Sequence, residues 1–422
     1  MKEEYLHYIW KTKRFDFRGL ELEDGRSVTI KNVGWHNFDA GPDFFNGTIA
    51  IEGIEWSGNI ELHIKSSDWY LHRHHLDRAY DNVVLHVVLE HDRQVRVQQH
   101  ILPTLTLKNR IDKQHYNQFY QLLKSKKKLP CESRIANMQE PLNRQVTNAF
   151  LERMERKGLE LVGTYERAGK NRKTAVLAAL CQSLGGRVNK LPFLELAQRI
   201  DPVIVQRERW NSNRLAALLF GVAGLLNVNY AHPYVDRLKN DWALIKRKYN
   251  LAEMQKSAWK FSGVRPYSFP TLKIAQLIGI IHAVDVFNFQ LKTATDAKSL
   301  TEKLGDIELH PFWEKHFTFE RQCSKRHAVN ISRNVIRGIM INAVAPLFVF
   351  FKHLNQDYAY EQALIDLMID LHPEQNTIVK QWHQRGVNIE NALESQGILE
   401  LNNEFCTFKK CLSCEVGRNL LD

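Results

Sequence analysis

Ile60-Glu-Leu-His-Ile-Lys65 alternates apolar and polar side chains with a period of two, so Ile60, Leu62 and Ile64 line one face of a strand and Glu61, His63 and Lys65 the other. Any half-buried strand shows such alternation. On both sides the short pattern recurs: Val28-Thr-Ile-Lys31, Thr48-Ile-Ala-Ile-Glu52, Val83-Val-Leu-His-Val-Val-Leu89, Val95-Arg-Val97 and Thr104-Leu-Thr-Leu107. Gly34, Gly41, Gly47, Gly53, Gly58 and Pro103 punctuate these runs as turns. Ser27 to about Leu107 therefore reads as a sheet. Tyr5, Tyr8, Ile9 and Trp10 cluster at helical spacing before it, and a helix is expected over Lys113 to Lys126.

The run Lys124-Ser-Lys-Lys-Lys128 reads as a solvated linker, and beyond it the period becomes helical. Helices are expected over Val146–Ala168, Lys173–Leu184, Phe193–Ile200, Asn213–Leu226, Pro233–Tyr249, Leu272–Phe287, Ala297–Leu304, Ile331–Leu354 and Glu361–Leu371. No fixed repeat emerges, which argues against a solenoid. The expected fold class is α+β: a mixed, β-rich N-terminal domain over 1–128, a large irregular α-helical domain over 129–400, and a cysteine-containing tail over 401–422.

A chain of 422 residues exceeds what one core organises, and 44% hydrophobic with 25% charged residues is ordinary globular usage, not that of a disordered or fibrous chain. Met1 to Trp10 carries charges where an export signal needs an apolar run, and Ala343–Phe351 and Leu215–Leu226 are shorter than the roughly 18 to 20 residues that cross a bilayer. A cytoplasmic protein without a membrane span is the expectation, and six cysteines then read as thiols or metal ligands rather than disulfides. Lys and Arg exceed Asp and Glu by 58 − 47 = 11, which permits nucleic acid as a partner and equally serves solubility.

The densest chemistry lies between Gly41 and His86. Asp43 follows Pro42 at the start of the preceding hairpin strand, where its carboxyl can meet that of Glu61 across neighbouring strands. Two converging carboxylates suit Mg²⁺ or Mn²⁺, and an adjacent His63 or Lys65 can orient water and stabilise developing charge. The pattern resembles the restriction-endonuclease-like nucleases, in which Pro-Asp precedes a hairpin and carboxylate-x-Lys follows. The resemblance implies Asp43 and Glu61 as metal ligands in phosphodiester hydrolysis. This chain departs from it by placing His63 where the lysine belongs, with Lys65 two residues further on.

His72, His74, His75 and Asp77 follow a turn after Trp69, and imidazoles with a carboxylate at that spacing suit Zn²⁺ or a similar metal, His74 and Asp77 sharing a face if the segment is helical. Surface histidines beside aromatic anchors give the same pattern, and His86 within Val83–Leu89 reads as a satisfied buried histidine. Near the C-terminus, Cys406-x4-Cys411-x2-Cys414 suits structural zinc or, less readily, an iron–sulfur cluster, with Cys131, Cys323, His372 or His383 as the fourth ligand; reduced thiols without a metal are the alternative.

Taken together, Gly41-Pro-Asp-Phe44, Gly58-Asn-Ile-Glu-Leu-His63, Ser67-Asp-Trp69, His74-x-x-Asp77, Leu85-His-Val-Val88, Arg265-Pro-Tyr-Ser-Phe-Pro270, Ser395-Gln396 and the terminal cysteines resemble a bacterial family known as domain of unknown function 2851. That resemblance implies an architecture whose parts belong together, and no reaction. The leading functional expectation is a metal-dependent nuclease. The alternatives are a non-catalytic nucleic-acid- or protein-binding protein with a structural zinc site, and a metalloenzyme acting on a small molecule through the histidines.

Overall fold

A computed structural model of the chain describes residues 1–37, 39–288 and 291–421. It divides into two compact units, Met1–Leu142 with Asn403–Asp422, and Asn143–Asn402. The cysteine tail thus belongs to the first unit, although Asp422, its last residue, lies outside the described residues.

The first unit opens with α1 (Glu3–Thr12), which buries Tyr5, Leu6, Tyr8, Ile9 and Trp10. Its sheet comprises β1 (Val28–Asn32), β2 (Trp35–His36), β3 (Phe44–Ile51), β4 (Ile54–Lys65), β5 (Val83–Glu90) and β8 (Thr104–Thr106), in the order β1-β3-β4-β5-β8 with β2 also on β3. Short β6 (Arg96–Val97) and β7 (His100–Ile101) pair separately, and α2 (Asp68–Leu71) and α3 (Lys113–Lys124) complete the named elements.

β3 and β4 form a hairpin whose two-residue turn, Glu52-Gly53, has φ of +48° and +81°. Positive φ at both positions matches the right-handed twist of the flanking strands. Near its far end the register shifts between Phe44 and Gly47, with Asn46 at φ +56° in the bulge. Gly47 is required there, because a Cβ would stand 2.3 Å from the Ile60 side chain. β4 then pairs parallel to β5, and β5 parallel to β8. Ile60, Leu62, Leu85, Val87 and Leu105 join the apolar residues of α1 in one core, which leaves Glu61, His63 and His86 for the other side of the sheet.

The second unit is helical around a large apolar core. Lys173–Leu184 falls within Arg172–Arg199, and Phe193–Ile200 overruns its end by one residue; the helix departs from helical geometry at Gly186 and Asn189, just ahead of Pro192. Arg333–Asn355 is long and apolar enough to cross a membrane by length and composition, and 72% of its apolar window is buried within the protein. Helices at Pro202–Glu208, Thr377–His383 and Ala392–Glu400 were not legible as periodic runs because each is two turns or so long.

Candidate metal centre

The Phe44–Ile60 pairing beyond the bulge sets Asp43 beside Glu61. The Asp43 N–H donates to Glu61 Oε2 at 3.0 Å, and the Leu62 N–H donates to Asp43 Oδ2 at 2.9 Å, so each strand's carboxyl holds the other's backbone. His7, one turn along α1 from Glu3, places Nε2 3.2 Å from the same Asp43 oxygen.

After β4 the chain turns sharply. Asp92 accepts from the Ser66 hydroxyl and from both the N–H and hydroxyl of Ser67, and Asp68 accepts from the Lys65 N–H. Trp69 anchors the turn, fully buried. Arg73 then takes the left-handed conformation, φ +64°, which reverses the chain between His72 and His74 and returns both toward β4. His74 stacks on Tyr80 with ring centroids 3.9 Å apart.

Four polar groups meet as a result. His63 Nε2 is 3.2 Å from His72 Nδ1 and 3.7 Å from Glu61 Oε1, and His74 Nε2 is 3.2 Å from that same oxygen. One nitrogen from each of His63, His72 and His74 lies within 4.8 Å of the others. Around a tetrahedral ion bound at about 2.0 to 2.1 Å, ligand atoms stand roughly 3.3 Å apart, which the 3.2 Å His63–His72 and His74–Glu61 contacts match. Behind them, His63 Nδ1 lies 2.8 Å from His86 Nε2. If His63 Nε2 carries the lone pair, Nδ1 donates to His86, whose own proton sits on Nδ1; that atom, like Trp69 Nε1 beside it, is buried without a hydrogen-bond partner among the described residues.

Electrostatics match a cation. Burial, reinforced by the negative charge of Asp43, pushes the Glu61 carboxyl up to about 9. Burial and the neighbouring imidazoles push His63 down to about 2, and burial takes His86 down to about 3, so both rings are neutral across the working range. Burial also lowers His74, against the pull of Asp43 and Asp77. At His7 burial disfavours the charge, but the Asp43 contact outweighs it and protonation is favoured. Neutral imidazoles are the form a metal binds, and a cation would remove the penalty on ionised Glu61.

Of the residues singled out by sequence, Asp43, Glu61, His63, His72 and His74 converge. Lys65 is exposed at the end of β4, and Asp77 accepts from the Ala79 N–H in extended backbone between two short turns, sharing no helical face with His74. His7 completes the group, and His86 supports it. The Glu3–His7 spacing of one helical turn was the only trace of the former; the parallel pairing of Glu61 with His86 left none. Cys406, Cys411 and Cys414 lie elsewhere in the first unit, together with Cys131.

An α+β chain with a cluster of imidazoles and carboxyls on one sheet face is the class these observations define. The chain belongs to the family described as protein of unknown function (DUF2851), whose model matches residues 3–377. No curated protein and no solved structure matches it.

Proposed function

We propose that the chain is a metal-dependent phosphodiester hydrolase acting on nucleic acid. The observation carrying this reading is the meeting of the Asp43 and Glu61 carboxyls with His63, His72 and His74 on one sheet face, buried at Glu61 and His63 and exposed at His72. Three imidazoles and a carboxylate suit Zn²⁺ or Mn²⁺ better than Mg²⁺, which demands oxygen ligands. When bound, such an ion supplies Lewis acidity and lowers the pKa of water. His63, His72 and His74 would hold it, with Glu61 oriented to accept a proton from the attacking water. Asp43 supplies a second negative charge, steadied by His7. Lys65, Arg73 and Arg78, exposed on the same strand end and turns, offer cations to a phosphate backbone.

Hydrolysis of single- and double-stranded DNA and RNA is measured with protein stripped by chelator and reloaded with Zn²⁺, Mn²⁺ or Mg²⁺. Cleavage with Zn²⁺ or Mn²⁺, reduced by about 10²-fold or more in folded Asp43→Ala and Glu61→Ala, is expected. Absence of cleavage with all three ions on every substrate would contradict the reading.

The reciprocal backbone bonds of Asp43 and Glu61 favour a second reading, a non-catalytic nucleic-acid- or protein-binding protein in which an ion merely fixes the turn. Salt-sensitive binding without turnover distinguishes it.

A further inference from the structure

Of the candidates for the fourth position that the terminal spacing leaves open, Cys131 lies with the three tail cysteines. Cys131, Cys406, Cys411 and Cys414, all free thiols, line one small cavity in the first unit, with Leu122 and Leu420 also on its wall. Cys131 comes from the segment after α3 and the other three from the tail, so two distant stretches of the chain bring their thiols to one lining.

The tail is shaped to deliver these sulfurs. Lys409 takes the left-handed conformation, φ +53°, and its ammonium donates to the Leu123 and Ser125 carbonyls at 2.6 and 2.8 Å, against the end of α3. Cys411–Ser413 forms one tight turn, and the helix Glu415–Leu421 begins directly after Cys414. That helix can close on the turn only because residue 417 is glycine, a Cβ there standing 2.1 Å from the Cys411 carbonyl oxygen. Leu412 and Leu421 enter the apolar core of the first unit. Four free thiols, Cys414 buried and Cys131, Cys406 and Cys411 half-buried, that share a cavity without forming disulfides are a ligand set for a soft metal.

We propose that Cys131, Cys406, Cys411 and Cys414 are the four ligands of one thiolate-bound metal centre, holding zinc or an iron–sulfur core, which fastens the chain's end to the segment following α3. It is separate from the imidazole site and does not depend on the function assigned to that site. Each ligand enters as a thiolate, so metal binding releases four protons for four thiols.

The test uses full-length protein purified without air, in a His72→Ala/His74→Ala background that keeps the imidazole site out of the count. Zinc, iron and acid-labile sulfide are measured per chain. One zinc, or iron with matching sulfide and visible absorption, is expected; Cys131→Ser should lose most of it, while Cys181→Ser and Cys323→Ser keep it. If Cys131→Ser does not fold by circular dichroism, X-ray absorption on the parent decides: an all-sulfur first shell upholds the centre, and nitrogen or oxygen in that shell overturns it. A parent chain without metal, or folded Cys131→Ser with full metal, also overturns it.

Discussion

Glu61 is asked to be buried, to stand next to another carboxyl and to accept a backbone N–H, and its neighbours His63 and His86 are forced to stay neutral. His86 does not reach the proposed ion; it holds His63 by the 2.8 Å contact, so its replacement acts through His63. Outer partners of metal-bound imidazoles usually govern affinity by 10- to 100-fold. His86→Ala should therefore weaken Zn²⁺ binding by about 10- to 100-fold in a competition titration, while His75→Ala, on the exposed side of the same turn, should leave it unchanged. A separate residue sets an acid limit. Glu208, buried in the second unit, is bonded by Arg214 and Tyr249, which hold its carboxyl down at about 2, below the usual 4.5. The unfolded chain therefore takes up a proton that the folded one refuses, so this stabilisation is present above about pH 4.5 and is lost as pH falls toward 2. Glu208→Gln should flatten urea stability across that window and cost about 2 kcal/mol at pH 7.

At the scale of elements, the strands were legible because their alternation is imposed by the pleat. Ile60 to Lys65 could be read as a strand with Glu61 and His63 on one face, and Asp43 as the acid across the hairpin. What stayed hidden was long-range: the bulge at Asn46 that fixes Asp43 opposite Glu61, the left-handed Arg73 that returns His72, and the choice of β5 as a parallel neighbour. None of these leaves a periodic mark. Gly58 shows how tightly that neighbour is fitted, since a Cβ would stand 2.5 Å from Val84 and 2.6 Å from the Asn82 carbonyl oxygen. Gly58→Ala should push β4 from β5 and cost about 1 to 3 kcal/mol, read as a lowered urea midpoint of the first unit. Gly53→Ala, where there is open space, carries only the strain of φ +81° and should cost less.

For the whole molecule, the division into two units follows from where apolar residues are spent. The expected linker after Lys128 does not end the first unit: Leu129 and Ile135 beyond it are fully buried, and the last residues of the chain return to the same core. A charge run announces solvent exposure, not the boundary of a core, and a short tail gives no periodic signal of where it docks. A chain ending at residue 402 should lose the burial of Leu412 and Leu421, about 1.5 to 3 kcal/mol each, and its first unit should melt earlier while the second is unchanged in differential scanning calorimetry. Equal melting of both units in the shortened chain would show that the tail is no part of the first core.

The most direct measurement of the imidazole centre is anomalous scattering from crystals of the zinc- or manganese-loaded protein. A peak bonded to His63 Nε2, His72 Nδ1 and His74 Nε2 and beside Glu61 is the expected result. A loaded, fully folded protein with no ion at those nitrogens would contradict it.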